Sequence, residues 1–280
     1  MGRPNVGKST LMNALTGTKL AITSPKAQTT RHRIFGIITE ENYQIVYSDT
    51  PGMIDPQYKL QEQMMAYVSA SLEDADLILY LVALEDKNDF PEMIEMAVKT
   101  RLPIIFLINK VDTRKGTQVE DKVVYWKDLY PELEILPVSA KEGFNIPQLN
   151  KRIVEILPEH PPYFPEDSLT DKPERFFASE TIREKIFLNY KQEIPYSAEV
   201  AITQFKEEDD IIRIAAEIFI ERDSQKGILI GHKGASLKKV GTEARKDMEA
   251  FFGKKVFLET HVKVEKDWRK NEKQLKKFGY

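Results

Sequence analysis

The sequence predicts an α/β domain, with helices on both faces of a sheet, followed by a smaller α+β domain. Three observations predict this. Strand-like and helix-like segments alternate up to about residue 158, the pattern of a sheet wound with helices. Two of the strand-like runs, Leu77–Val82 and Ile104–Ile108, are continuously apolar, as parallel strands covered on both faces are. Residues 158–168, PEHPPYFPEDS, hold four prolines, which fix φ and remove amide donors, so this stretch reads as a linker. At 280 residues the chain also exceeds one typical domain.

Taken in order, Ile34–Thr39 and Tyr43–Ser48 read as strands, and helices are expected over Tyr58–Leu72, Pro91–Thr100, Val119–Leu129 and Ile146–Leu157. Beyond the linker, Glu174–Tyr190 carries Phe176, Phe177, Ile182, Ile186, Phe187 and Tyr190 near helical spacing. Val200 and Ile202, then Ile212, Ile214, Ala216, Ile218 and Ile220, alternate at period two around the acidic turn Glu207–Asp210. A helix over Ala235–Phe252 places Leu237, Val240, Ala244, Met248 and Phe251 on one face. Val256, Leu258, Val262 and Val264 then alternate again. The order in this half is helix, strand, strand, helix, helix, strand. The expected domains are residues 1–160, a Pro-rich linker at 161–170, and residues 171–280.

Composition is that of an ordinary soluble domain, with 41% apolar and 30% charged residues. There is no cysteine, which excludes disulfides, thiolate metal sites and a cysteine nucleophile, and suits a reducing cytoplasm. No apolar run is long enough to span a bilayer. A peripheral contact at the inner face of the cell membrane is left open. The net charge of −3 is unevenly spread: residues 226–280 carry 15 Lys+Arg against 7 Asp+Glu. That bias suits an anionic partner, and equally a solvated lysine-rich face.

Gly2-Arg3-Pro4-Asn5-Val6-Gly7-Lys8-Ser9, continued by Thr10, matches the phosphate loop GxxxxGK[ST]. Its backbone amides can cradle phosphate oxygens, Lys8 can reach the β- and γ-phosphates, and the Ser9 hydroxyl can ligate Mg²⁺. The N-terminal end of the following helix adds positive potential. This loop does not choose between ATP and GTP. Asp49-Thr50-Pro51-Gly52 follows a strand; Asp49 can hold Mg²⁺ through water, and the Gly52 amide can sense the γ-phosphate. Alone it is equally a turn. Asn109-Lys110-Val111-Asp112 follows a buried strand. Asp112 can accept both N1–H and the N2 amino group of guanine, a pair that adenine lacks, and the Lys110 stem can cover the base. Val138-Ser139-Ala140-Lys141 can present amides to the guanine O6; by itself it reads as a strand-to-helix turn. The four loops fall at strand C-terminal ends, where open α/β sheets bind ligands.

The order GRPNVGKST, QTTRHRI, DTPG, NKVD, VSAK resembles the bacterial Era family of translation-associated GTPases, over nearly the whole chain. The resemblance implies a Ras-like P-loop GTPase domain, here lacking its first strand, since family members carry a strand before the phosphate loop and Gly2 is nearly the first residue. It implies that Gln28, Thr29, Thr30, Arg31 and His32 form the first switch. Thr30 would join Ser9 and Asp49 at Mg²⁺ and the γ-phosphate, with Thr29 as the fallback. Without the resemblance QTTRH reads as a polar loop; Arg31 and Arg33 are weaker candidates for supplying catalytic positive charge, and otherwise read as solvated switch residues. Met53 stands where Ras-type enzymes carry a water-orienting glutamine. Asn5 looks like the asparagine that holds K⁺ in related GTPases, where a monovalent cation supplies charge to the transition state alongside Lys8; it also reads as a turn residue.

In the second half, Ile230-Gly231-His232-Lys233-Gly234 forms a GxxG loop between two helices. With no Cβ in the way, a nucleic-acid backbone can approach it closely, as in KH domains. The element order resembles a type II KH domain, and the loop lies beside the basic segment. His232 reads as a loop contact, since no partner spacing supports a metal site. Trp268, Phe278 and Tyr280 are expected to pack onto the domain in preference to stacking on bases. The resemblance further implies a monomer that binds GTP and GDP, contacts small-subunit ribosomal RNA near its 3′ end, and assists assembly of the small ribosomal subunit. The alternative is an RNA-binding assembly factor whose nucleotide pocket is inactive in a chain lacking that strand.

Overall fold

The computed structural model describes residues 1–86, 91–114 and 117–280. They divide into two units: Met1–Pro56 with Met64–Asp171, and Gln57–Gln63 with Lys172–Tyr280.

In the first unit the chain enters helix α1, Lys8–Thr16, almost at once. Strands β1, Ile34–Glu40, and β2, Tyr43–Asp49, then form an antiparallel hairpin in the register Ile34↔Asp49 to Glu40↔Tyr43. Helix α2, Lys59–Glu73, which belongs to this unit from Met64 onward, precedes β3, Ile78–Ala83. Helix α3, Pro91–Lys99, leads to β4, Ile104–Asn109, and helix α4, Gln118–Leu129, to β5, Glu134–Pro137. Helix α5, Ile146–Ile156, completes the unit. Strands β3, β4 and β5 run parallel in that order, joined by helical crossovers, as the continuous apolar runs predict. Ile105, Phe106, Leu107 and Ile108 are fully buried, and Trp126 of α4 closes on Phe106 with ring centroids 4.6 Å apart.

The hairpin and the parallel trio are separate sheets. Met1 and Gly2 meet the edge of β3 opposite β4: Leu81 N donates to Met1 O at 2.9 Å, and Gly2 bridges Leu81 in the parallel sense. A cavity of about 660 Å³ lies between hairpin and trio, lined by Leu11, Val46, Tyr47, Leu79, Ile153 and Leu157 among others.

The second unit contains helix α6, Glu174–Asn189, the short helix α7, Ile194–Ser197, and strands β6, Glu199–Glu207, and β7, Ile211–Ile220. Helix α8, Asp223–Ile230, helix α9, Ala235–Phe252, strand β8, Lys255–Val264, and helix α10, Glu272–Lys277, follow. Strands β6 and β7 are antiparallel with a bulge at Ile202/Gln204, and β7 and β8 are parallel. The alternating residues Ile212, Ile214, Ala216, Ile218 and Ile220 point into one core with Ile182, Ile186, Val240, Ala244 and Met248 from α6 and α9. The period-two reading of this half therefore holds, while α7 and α10 are short elements without a sequence period of their own.

Trp268 is fully buried, donates from Nε1 to Ser197 O at 2.9 Å, and meets Phe278 edge-on at 5.4 Å. Tyr280 Oη donates to Glu199 Oε2 at 2.7 Å. These aromatics pack onto their domain, as expected. Helix α6 is more buried than its apolar residues imply. Arg183 is 0% exposed and pairs bidentately with Glu180 at 2.7 and 2.5 Å. Burial opposes the Arg183 charge, but the adjacent Glu180 carboxylate holds it firmly protonated.

Candidate nucleotide site and nucleic-acid loop

The phosphate loop turns on left-handed Asn5 (φ 65°) and on Gly7 (φ 98°), and its last turn opens directly into α1 at Lys8. Gly7 is there for closeness as well as for φ: a Cβ on it would collide with the Asn109 side-chain amide. Lys8 Nζ donates to Gly2 O at 3.1 Å and Arg3 O at 2.8 Å, so it lies coiled inside the loop that phosphates would enter. Burial lowers its pKa to about 8, against the attraction of Asp49.

Three groups expected at the metal converge. Ser9 Oγ lies 2.7 Å from Thr30 Oγ1 and donates to Asp49 Oδ2 at 2.6 Å, while Thr30 Oγ1 is 3.5 Å from the same oxygen. Asp49 is 3% exposed, and its other oxygen, Oδ1, is buried with no hydrogen-bond partner. Burial raises its pKa, opposed by the Ser9 hydrogen bond and the Lys8 charge. A buried carboxylate with an orphaned oxygen beside two hydroxyls fits a hard, oxygen-liganded cation such as Mg²⁺, which keeps several waters and takes few protein ligands. Among the described residues there is no cluster of three or more His, Cys, Asp or Glu that could hold a metal by itself.

The two threonines are separated cleanly. Thr29 Oγ1 lies 2.6 Å from Ser24 Oγ and donates to Lys26 O at 2.7 Å, so it closes the loop, and Thr30 alone faces Ser9. Gln28 adopts a left-handed backbone (φ 59°), and His32 sets its ring 6.1 Å from Tyr67 of α2. The reading of Arg31 and Arg33 as solvated is corrected. Arg31 is 0% exposed, and Arg33 grips Asp74 with two nitrogens at 2.8 and 2.6 Å and Ser48 Oγ at 2.8 Å. A planar guanidinium can satisfy carboxylate, hydroxyl and packing demands together, which sequence alone does not reveal. Asn5 Nδ2 donates to Pro25 O at 3.0 Å, tying the phosphate loop to the segment that leads into the first switch. Pro51, Gly52 and Met53 are buried, and Met53 N donates to Gly2 O at 3.1 Å.

The guanine loops are joined by one residue. Asn109 is buried; its Nδ2 donates to Val6 O at 2.7 Å and its Oδ1 accepts the Ala140 amide at 3.0 Å. It therefore sets the spacing of the phosphate, base and O6 loops. Ser139 Oγ donates to Asp112 Oδ1 at 2.5 Å, which aims the exposed carboxylate. Lys110 takes a left-handed backbone (φ 65°), and Lys141 is exposed beside Glu142. Asn13 of α1 was not singled out from the sequence. Its Oδ1 accepts the Leu20 and Ala21 amides at 3.0 and 2.9 Å, and its Nδ2 donates to Ala21 O at 2.7 Å, fixing the stem of the first switch. It shares a polar helix face with Ser9, Thr10 and Thr16, so nothing in the local pattern marks it.

Comparison with known proteins then decides the family. Residues 1–110 match the family model described as 50S ribosome-binding GTPase, and residues 193–269 match that of the KH domain. The GTPase Era of Geobacter metallireducens is 45% identical over 284 aligned residues, covering 100% of this chain and 95% of that protein. The chain belongs to the Era GTPase family. Like its Era relatives it is a GTP hydrolase, built as a Ras-like P-loop domain with a C-terminal KH domain. A crystal structure of Era with MgGDPNP and nucleotides 1506–1542 of 16S ribosomal RNA superposes with a TM-score of 0.95 at 40% identity, covering 100% of this chain and 96% of that one. An Aquifex aeolicus Era variant bound to GDP·AlF4⁻ matches equally, with TM-score 0.95, 40% identity and the same coverage.

The GxxG loop of this Era-type chain joins α8 to α9. Gly231 (φ 71°) and Gly234 (φ 79°) flank His232 and Lys233, both exposed, with Ile230 half-buried before them. The two glycines differ. A Cβ on Gly231 would collide with the Ser236 side chain, whereas one on Gly234 would enter open space. Ile228, 55% exposed on α8, offers apolar surface near the loop. No helix of the described residues is long and apolar enough to cross a membrane.

Proposed function

We propose that this chain is a cytoplasmic, monomeric GTPase whose nucleotide state controls its hold on small-subunit ribosomal RNA near the 3′ end, in support of small-subunit assembly. Residues 1–160 would form the GTP-binding domain, 161–170 the linker and 171–280 the RNA-binding domain. Mg²⁺ would be held by Ser9, Thr30 and Asp49, phosphates by Gly2–Thr10 and Thr50–Met53, and guanine by Asn109–Asp112 with Ser139–Lys141. K⁺ at Asn5 would supply the transition-state charge that an arginine finger supplies in other GTPases, and the attacking water would be oriented by a group other than Met53. The RNA backbone would pass over Ile230–Gly234.

The observation that carries the nucleotide half is the convergence of Ser9 and Thr30 on Asp49, whose second oxygen is buried without a partner. The RNA half is supported by the exposed GxxG loop beside a segment with 15 Lys+Arg against 7 Asp+Glu. It is supported as well by the relative crystallised with MgGDPNP and 16S ribosomal RNA. The 50S description belongs to a model that spans only residues 1–110, the half without the GxxG loop.

The chemistry follows from electrostatics. Phosphoryl transfer asks mainly for positioning and charge neutralisation. Mg²⁺ supplies Lewis acidity when bound. Lys8 would turn from the Gly2 and Arg3 carbonyls to the phosphates, and Thr30 would leave Ser9 to meet the γ-phosphate. Loss of that phosphate releases Thr30 and the Gly52 amide, which makes the first switch a reporter of hydrolysis.

The second reading is an RNA-binding assembly factor with an inactive nucleotide pocket, whose hold on RNA would not depend on nucleotide state. Titration of a short single-stranded RNA from the small-subunit 3′ end, with GDPNP and Mg²⁺ or with GDP, separates the two. Tighter RNA binding with the triphosphate supports the switch; equal affinities refute it.

A further inference from the structure

The Pro-rich linker is fastened to the hairpin that carries the first switch. Ile37 N donates to Leu169 O at 2.9 Å, and Phe35 N donates to Asp171 Oδ1 at 2.9 Å. Alternate amides of a strand face one edge, so Leu169 and Asp171 cap the edge of β1 turned away from β2. A second fastening lies at the far end of the hairpin. Gln44 Oε1 accepts the Tyr163 and Phe164 amides at 2.8 and 3.0 Å, and Gln44 Nε2 donates to Phe164 O at 2.9 Å. The Phe164 ring meets Phe35 edge-on at 6.2 Å.

The position of these bonds gives them a role. Phe35 follows Thr30 by five residues, a span of about 17 Å at full extension. The intervening chain is not slack: Arg31 is fully buried, and Arg33 is tied to Ser48, the neighbour of Asp49, and to Asp74 just beyond α2. The start of β1 therefore follows the carboxylate expected at the metal and α2 together. Asp171 is the last residue of the first unit, and Lys172 opens the stretch that continues through the second.

We propose that Leu169–Asp171 is a strap that passes the position of the first switch to the second unit. When Thr30 is drawn to the metal and γ-phosphate, the start of β1 shifts and the strap is held or released with it. The Phe35–Asp171 bond is solvent-exposed and Leu169 is 58% exposed, so this attachment can come and go where a buried ladder could not. This inference rests on the nucleotide-controlled RNA binding proposed above, and its test separates the two.

The experiment uses the full chain, Asp171→Ala, and Asp171→Asn, which keeps the accepting Oδ1. Two quantities are read with GDP and with GDPNP plus Mg²⁺: amide hydrogen exchange at Phe35 and Ile37, and affinity for the single-stranded RNA. Exchange at both amides should differ between nucleotides in the native chain. The native ratio of RNA affinities should be roughly tenfold, within the usual range of coupling between sites. Asp171→Ala should reduce it to under about threefold with GDP affinity unchanged, and Asp171→Asn should restore most of it. An Asp171→Ala chain that keeps the native ratio overturns the strap and leaves the functional reading standing. A native chain without any ratio overturns the functional reading, and the exchange data then decide the strap: a response at Phe35 and Ile37 supports it, identical exchange overturns it.

Discussion

The two units solve the same problem, holding a polar loop in place, in opposite ways. In the first, site and scaffold share residues. Asn109 is a buried strand residue and also the clamp between three loops, and Asp49 is 3% exposed yet carries an oxygen without a partner. In the second, the Gly231–Gly234 loop stands clear of the core formed by α6, α9 and the three-stranded sheet, whose buried charges pair among themselves. A catalytic pocket needs preorganised dipoles in a dry setting, so it grows from the sheet's own strand ends. A loop that admits a nucleic-acid backbone needs access, so it is set apart. Substitutions in the first unit should thus perturb site and stability together, and those at the loop of the second should separate them.

The largest effect expected from this contrast concerns the divided sheet. A chain given an apolar N-terminal strand in register with β3 should fill the cavity of about 660 Å³ between hairpin and trio. Because that cavity also borders Lys8 and Asp49, the added strand should raise both the thermal midpoint, by at least about 5 °C, and GTP affinity. Scanning calorimetry with fluorescent-nucleotide titration checks this. A rise in midpoint with no change in affinity would break the link between scaffold and site.

Next in size is guanine selection. Asp112→Asn removes a charged acceptor aimed by Ser139. GTP affinity should fall roughly 10- to 100-fold, the range for losing hydrogen bonds to a charged group, while xanthosine triphosphate, with an oxygen at the 2-position, should bind better than to the native chain. Unchanged GTP affinity would remove Asp112 from the site. Hydrolysis should then be faster in K⁺ than in Na⁺ at matched ionic strength, by roughly an order of magnitude, given Asn5 in the loop and the buried Met53. Equal turnover in both salts would discard the potassium reading alone.

The smallest effect follows from Lys8. Its pKa in the nucleotide-free chain is lowered from 10.5 to about 8 by burial. Phosphates favour the charged amine, so binding takes up a proton near pH 8, and nucleotide affinity should fall roughly fourfold from pH 7 to pH 8.5. The stability contribution has the opposite slope. Between about 8 and 10.5 the unfolded chain holds more protons at Lys8, so this group's contribution favours folding increasingly as pH rises through that window. A flat titration in this interval would mean that Lys8 stays charged in the free pocket.

Much of this was legible in the sequence for physical reasons. Helix Ala235–Phe252 and the strand residues Ile212–Ile220 carry a clear period, because each has one buried face. The phosphate and guanine loops were legible because glycine, lysine and aspartate at fixed spacing have few other uses. What was hidden depends on tertiary partners. Nothing in the pattern of α6 announced that Arg183 and Glu180 would be buried as a pair, or that Arg31 would lose its solvent. Asn13 has no motif, since its role is to hold the backbone amides of Leu20 and Ala21 beyond the end of its own helix. Residues 158–168 form no helix or strand, in keeping with their four prolines, but the bonds of Leu169 and Asp171 to Ile37 and Phe35 are long-range and leave no local trace.

The central claim, that one chain joins a nucleotide pocket to a separable RNA loop, is tested most directly at Gly234. A side chain there enters open space, whereas one at Gly231 collides with Ser236, so Gly234→Asp changes the loop surface with the smaller structural disturbance. The measurement is affinity of the native and Gly234→Asp chains for a short single-stranded fragment from the small-subunit ribosomal RNA 3′ end, with GDPNP and Mg²⁺ present. Circular dichroism and nucleotide titration serve as controls on both chains. The account predicts that Gly234→Asp loses RNA binding by at least roughly tenfold, since a carboxylate now faces the phosphate backbone, and keeps native nucleotide affinity. Equal RNA affinity in the two folded chains would contradict it.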